Sequence, residues 1–316
     1  MPFAPRPLFN WRLRTRTLQL GRRTLLMGIL NVTPDSFSDG GRFLAPAAAL
    51  AQALKMLDEG AGLLDLGGES TRPGAQPISP AEEQARVLPV LRAVLAARPD
   101  AILSIDTYHA KTAHLAIEAG AEIVNDVSGH LWDSTMSSTC AALGCGNILM
   151  HTRGRPHEWR TLPPLAPDEV VPLVLRDLES RAHAALAAGI ARNSIVLDPG
   201  FGFGKRLDEN FPLLAHLDQL HSLGFPLLAG LSRKSFLRAT PNPGMAVDQP
   251  SPAGNNPGAP PQTASPSEVG MALDNLTTAA NTAAILAGAN ILRVHDVPSA
   301  RAAAAIADRL LSEAQP

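Results

Sequence analysis

LLMGILNVTPDSFSDGG, residues 25–41, sets a short apolar run directly before a loop that no core could absorb. The run does not alternate polar with apolar, so it reads as a strand buried on both faces. The loop carries Asp35 and Asp39, three hydroxyls, a proline and a glycine pair. Seven similar runs follow, at 63–66, 102–105, 122–124, 148–150, 195–197, 227–231 and 291–294. Between them lie segments with helical spacing, most of them alanine-rich, at 47–59, 80–97, 110–119, 167–188, 209–223 and 271–287. Gly60, Gly120, Gly189, Gly224 and Gly288 stand where five of these helices should end. Buried strands alternating with helices mean a parallel sheet, and eight repeats predict an α/β protein, a single (β/α)8 TIM barrel.

Two regions fall outside this rhythm. Residues 9–13 and 17–20 flank a short polar turn and predict a small hairpin within an N-terminal extension, 1–23, ahead of a barrel spanning 24–316. The first 34 residues hold six arginines and no acid, which also fits an organelle transit peptide, but the paired runs favour the hairpin. Between Pro241 and Pro266 there are eight prolines and three glycines. Such a composition cannot bury enough apolar surface to order itself, so 240–267 is expected to be a disordered, low-complexity insertion between strands 7 and 8. The strand and two helices expected after it complete the barrel, which argues against a linker to a second domain.

At 316 residues and 45% apolar, the chain can bury a large core. Its 27 basic and 29 acidic residues leave a net charge of -2, too even for a nucleic-acid partner held through phosphates. No stretch approaches the ~20 apolar residues of a membrane span, and no secretory signal is present, so a cytoplasmic protein is expected. Cys140 and Cys145 are the two cysteines, too few for a metal site without further ligands, and read as small packing residues.

A parallel barrel carries its active site at the C-terminal ends of its strands. Those ends hold Asn31, then Glu69, Ser70, Thr71 and Arg72, then Asp106, Asn125 with Asp126, His151, Asp198, Ser232 with Arg233 and Lys234, and His295 just after Arg293. By position the charges divide. Arg72, Arg233, Lys234, Arg293 and His295 come from strands two, seven and eight, around the side where barrels commonly hold phosphate. Asp106, Asn125 and Asp198 come from strands three, four and six, and their acceptors suit a flat heterocycle with N–H donors. The expected ligand is an aminated ring joined to an oxyanion. The loop 31–41 should close over it, and Asn31 and Asp35 are placed to offer oxygen ligands to a magnesium ion carried in with a diphosphate.

The motifs MGILNVTPDSFSDGG, LGGESTRPGA, SIDT, IVNDVSG, LDPGFGFGK, GLSRKS and ILRVHDV, in this order, resemble the dihydropteroate synthases, a family of pterin-binding enzymes. The likeness runs from about residue 17 to the C-terminus apart from the insertion. It implies a transferase of folate biosynthesis that condenses 6-hydroxymethyl-7,8-dihydropterin diphosphate with p-aminobenzoate, releasing diphosphate. Carried over to this sequence, it implies that Asp106, Asn125 and Asp198 hold the pterin ring with Lys234 on the opposite side. Asn31, Arg72, Arg293 and His295 would bind the diphosphate with magnesium. Thr71, Pro73, Phe203, Ser232 and Lys234 would form the p-aminobenzoate site. Asp106, Asp198, Lys234 and Arg293 are the expected catalytic residues, and the family implies a homodimer through helices away from the mouth.

Two other readings compete. A methyltetrahydrofolate:corrinoid methyltransferase has a similar barrel but no diphosphate to hold, leaving the cations without a task. A non-catalytic pterin-binding paralogue should have lost the loop motifs, and both are complete here.

Overall fold

The computed structural model describes residues 4–33, 45–70, 76–239 and 266–314. Asp35, Thr71, Arg72 and Pro73 lie outside them, as does the expected insertion except for its last two residues. The eight apolar runs are the eight strands of one parallel sheet: β3 (Leu25–Asn31), β4 (Leu63–Gly67), β5 (Leu103–Asp106), β6 (Ile123–Asp126), β7 (Gly146–Met150), β8 (Ile195–Asp198), β9 (Leu228–Ala229) and β10 (Ile291–Val294). They pair in the order β8-β7-β6-β5-β4-β3-β10-β9. Closure between β8 and β9 rests on a bridge from Leu197 to Leu227 and on the Leu197 N–H, which donates to the Pro226 carbonyl at 3.0 Å. Pro226 has no N–H to give in return, which keeps this seam short.

Alternate residues of a strand share a face, and in this barrel that rule separates floor from mouth. Met27, Leu63, Ile123, Ile148, Val196, Leu228 and Ile291 form one buried apolar cluster inside the barrel. Two residues further along their strands stand Asp65, Asn125, Asp198 and Arg293. The intervening residues, such as Leu64, Leu66, Val124, Leu149, Leu197 and Leu292, pack outward in a second cluster beneath the helices.

Those helices are α1 (Ala45–Asp58), α2 (Pro80–Ala97), α3 (Ala110–Glu118), α4 (Met136–Leu143), α5 (Pro167–Ala187), α6 (Asn210–Ala215), α7 (Pro266–Leu286) and α8 (Val297–Glu313). The five glycines expected to end helices all adopt positive φ, from 72° at Gly224 to 111° at Gly120, where a Cβ would be strained. Two elements depart from expectation. The single helix foreseen over 209–223 breaks at His216, and 3-10 turns over Leu217–Leu223 bury Leu217 and Leu220 instead. Helix α7 is described from Pro266, ahead of the expected 271, and so takes in the end of the expected insertion.

The N-terminal segment is the foreseen hairpin, β1 (Phe9–Arg12) antiparallel to β2 (Thr17–Leu20). It plugs the barrel floor. Trp11 and Leu13 are each 1% exposed and join the interior cluster, and the Trp11 indole N–H donates to the Ser194 carbonyl at 3.1 Å. The arginines there are anchors. Arg6 donates to the Gly21 and Ala289 carbonyls and pairs with Asp308 at 2.6 Å, and Arg16 pairs with Glu122 at 3.2 Å. Among the described residues no helix is long and apolar enough to cross a membrane.

Candidate active site

The mouth is built on one arginine and the carboxylates around it. Arg293, inward on β10, donates from Nε to Asp65 Oδ2 and from Nη2 to Asp106 Oδ2, each at 2.6 Å. Asn125 Nδ2 donates to the same Asp65 oxygen at 2.8 Å, so Asp65 ties β6 to β10 through β4. Asp65 is completely buried, and its Oδ1 has no partner among the described residues. Sequence reasoning missed it. The signal was a carboxylate inside the apolar run LLDLG, which no solvent-facing position could excuse.

Asn31 and Asp106 meet over Gly67. A Cβ at Gly67 would lie 3.5 Å from Asp106 Oδ2 and 3.7 Å from Asn31 Oδ1, so glycine leaves the space between these two acceptors open. Asp198 is held by its own loop, accepting the Gly200 N–H at 2.7 Å. Gly200 has φ 66°, and a Cβ there would stand 1.9 Å from the His151 carbonyl oxygen, so only glycine permits this turn. Lys234 lies with Nζ 3.9 Å from the centre of the Phe203 ring, a cation over an aromatic face. Ser232 Oγ and His295 Nδ1 are 3.0 Å apart, and the His295 N–H donates to the same hydroxyl at 3.3 Å, joining the ends of β9 and β10.

Burial tunes these groups. It lifts Asp106 to about 7, with Arg293 pulling back and Asp65, Glu83 and Asp126 adding to the rise. Asp198 is lifted to about 6, against the Gly200 N–H and the charges of Lys234 and Arg293. Burial and the Arg293 charge bring Lys234 down to about 8. Burial alone would lower Arg293, but Asp65 and Asp106 hold it above its ordinary value, and it stays charged. The mouth therefore holds two carboxylates and one lysine that titrate within reach of neutral pH, an arrangement typical of functional sites.

The strand ends do not all converge. His151 turns outward to Asp177 of α5, its Nε2 3.3 Å from Oδ2, and burial depresses it to about 3. Asp126 accepts from the Ser128 N–H and hydroxyl and the His130 N–H within its own turn. Glu69 accepts the Tyr108 hydroxyl at 2.7 Å. Arg233, at φ 58°, leaves the mouth to pair with Asp274 of α7 at 2.9 Å. The expected division of the mouth by charge is corrected with it. Arg293 sits among the carboxylates because a buried cation must be paired, so charges interleave rather than separate.

For a divalent cation, Asn31 offers an amide oxygen at the rim. No group of three or more His, Cys, Asp or Glu able to hold a metal occurs among the described residues. A hard ion that brings most of its oxygen ligands with it, as magnesium does when bound to phosphates, would need few donors from the chain.

A family model described as pterin binding enzyme matches residues 27–295. The chain is 38% identical over 303 residues to dihydropteroate synthase of Synechocystis sp., which covers 96% of this chain and 92% of that protein. Among solved structures it resembles Xanthomonas albilineans dihydropteroate synthase with 4-aminobenzoic acid, with TM-score 0.79, 36% identity, and coverage of 99% of this chain and 100% of that one. The same enzyme in complex with 7,8-dihydropteroate matches with TM-score 0.73, 36% identity, and coverage of 93% and 95%.

Proposed function

The chain belongs to the dihydropteroate synthase family of pterin-binding enzymes, and from that premise we propose how its residues divide the work. It is a transferase of folate biosynthesis, joining 6-hydroxymethyl-7,8-dihydropterin diphosphate to p-aminobenzoate to give 7,8-dihydropteroate and diphosphate. In our reading Asp106, Asn125 and Asp198 accept the N–H groups of the pterin ring, and Asp65 holds Asn125 and Arg293 in register. Asn31, Arg293 and His295 take the diphosphate, joined by Arg72 from the second loop. Phe203, Ser232 and Lys234 face the arylamine, with Thr71 and Pro73 completing that end.

The chemistry follows from where charge develops. The bond from the exocyclic methylene to the diphosphate oxygen breaks, and its electron pair leaves with diphosphate. The positive charge left behind spreads into the ring, against the buried carboxylates. The p-aminobenzoate nitrogen then forms the new C–N bond and gives up one proton to the departing diphosphate or to water. No strong base is required, because the attacked carbon is already cationic. Magnesium, held by Asn31 and the candidate Asp35, would neutralise the leaving diphosphate.

The observation that carries this reading is the buried mouth in which Arg293 lies 2.6 Å from both Asp65 and Asp106 beside the acceptors Asn125 and Asp198. Purified protein given both substrates should form dihydropteroate, faster with magnesium than without. No turnover with any divalent cation would favour the binding paralogue. We also propose a homodimer through the outer helices, supported by Ile306 and Leu310, which α8 exposes at 64% and 40%.

A further inference from the structure

The Phe203 ring stands between two glycines, Gly202 at φ 78° and Gly204 at φ 70°, which have no side chains to hold it. Its support comes from a neighbouring connection instead. The Trp159 ring, on the β7 to α5 connection, lies edge-on to Phe203 at 86° with centroids 5.4 Å apart. Lys234 Nζ takes a place over the Phe203 face. The two connections are also stitched through their backbones. The Arg153 N–H donates to the Phe203 carbonyl at 3.4 Å, and Arg153 Nη1 to the Gly204 carbonyl at 3.1 Å. Trp159 itself is half-buried and steadied by its indole N–H, which donates to the Gly154 carbonyl at 3.4 Å.

We propose that Trp159 is a positioning residue for the arylamine end of the site. It fixes the Phe203 ring against Lys234 and so sets the affinity for p-aminobenzoate without touching the pterin. This rests on the reading of Phe203 and Lys234 given above. A phenyl ring between two glycines has several rotamers open to it, and a perpendicular indole removes those that would leave Lys234 without its aromatic face.

The test uses Trp159→Ala, Trp159→Phe, Phe203→Ala and the double variant Trp159→Ala/Phe203→Ala in the full chain. Michaelis constants for p-aminobenzoate are measured at saturating pterin diphosphate, and binding of a pterin lacking phosphates is measured by calorimetry. Trp159→Ala should raise the p-aminobenzoate constant about 3- to 10-fold, the scale of one edge-to-face pair, with pterin binding unchanged. Trp159→Phe should recover most of the loss. The double variant should match Phe203→Ala alone, because the indole acts through that ring. A raised constant in Phe203→Ala but not in Trp159→Ala overturns the inference and leaves the site reading standing. Multiplying effects in the double variant, or an equal loss of pterin binding in Trp159→Ala, also overturns it. An unchanged constant in Phe203→Ala overturns the reading of Phe203 and the inference with it.

Discussion

Replacing Arg293 by methionine keeps an unbranched apolar stem in place of the arginine's and removes the guanidinium, leaving Asp65 and Asp106 without its charge. Two charge-assisted hydrogen bonds of 2.6 Å disappear. A hydrogen bond to a charged group contributes about 1.5–3 kcal/mol, and one pKa unit is about 1.4 kcal/mol, so losing the Asp106 contact should raise that carboxyl by about 1–2 units. Asp106 stands at about 7 with the arginine present. Without it the group should titrate at about 8–9, so only roughly a tenth to a hundredth of the variant is ionised at pH 7. The direction is fixed by sign: removing a positive neighbour disfavours the carboxylate, so the acceptor for the ring is lost at neutral pH and regained as pH rises. Calorimetry with a pterin lacking phosphates, from pH 6 to 9.5, isolates this effect from diphosphate binding. Binding by the variant should fall several-fold or more at pH 7 and approach wild type by pH 9.5. The diphosphate ester should remain weakly bound at every pH, because its own contact to the guanidinium is gone. A loss independent of pH, or no loss for the phosphate-free pterin, would refute the claim that Arg293 favours the ionised form of Asp106.

Three further outcomes follow from the same geometry. Asp106→Ala should fold normally and lower kcat/KM by roughly 10- to 150-fold or more, since a charged acceptor worth ~1.5–3 kcal/mol is removed where positive charge develops; near-normal turnover in a folded variant would remove Asp106 from the mechanism. In wild type, kcat/KM should fall below pH 6–7 as Asp198 and Asp106 take up protons, and above pH 8 as Lys234 loses one, because deprotonated carboxylates and a charged ammonium are the working forms; a profile flat from pH 5.5 to 9 would contradict this. Trp11→Ala should lower the melting temperature by roughly 4–8 °C, as loss of a buried indole costs ~3–5 kcal/mol, while kcat at 25 °C stays close to wild type because the floor lies across the barrel from the chemistry.

The repeat of strand and helix was legible because buried strands, helical spacing and terminal glycines each report local physics. Pro80 to Ala97 matched at both ends, since proline can open a helix and Ser79 caps it by accepting the Glu82 N–H. What the sequence withheld was the face on which a residue leaves its strand. Asn125 and Asp126 are neighbours, yet the first enters the mouth and the second caps its own turn, because parity counted from Ile123 in the floor points them apart. His151 follows inward Met150 and so points to α5 by the same count. That parity becomes readable only once the floor is known, and the floor is identified by its contact with Trp11 and Leu13 of the hairpin, far away in the chain. Asp65 was hidden for a related reason. A carboxylate inside a strand is paired across the barrel, and its partner Arg293 lies 228 residues away.

The central claim is that the buried carboxylates sustain a separated charge, with diphosphate departing before the amine attacks. It is tested most directly by mixing enzyme, magnesium and pterin diphosphate without p-aminobenzoate and measuring diphosphate on the time scale of one turnover. Diphosphate should appear at a rate set by the enzyme, and more slowly with Asp106→Ala. Release that waits for p-aminobenzoate under every condition would mean direct displacement by the amine, and would contradict the role given to Asp106 and Asp198.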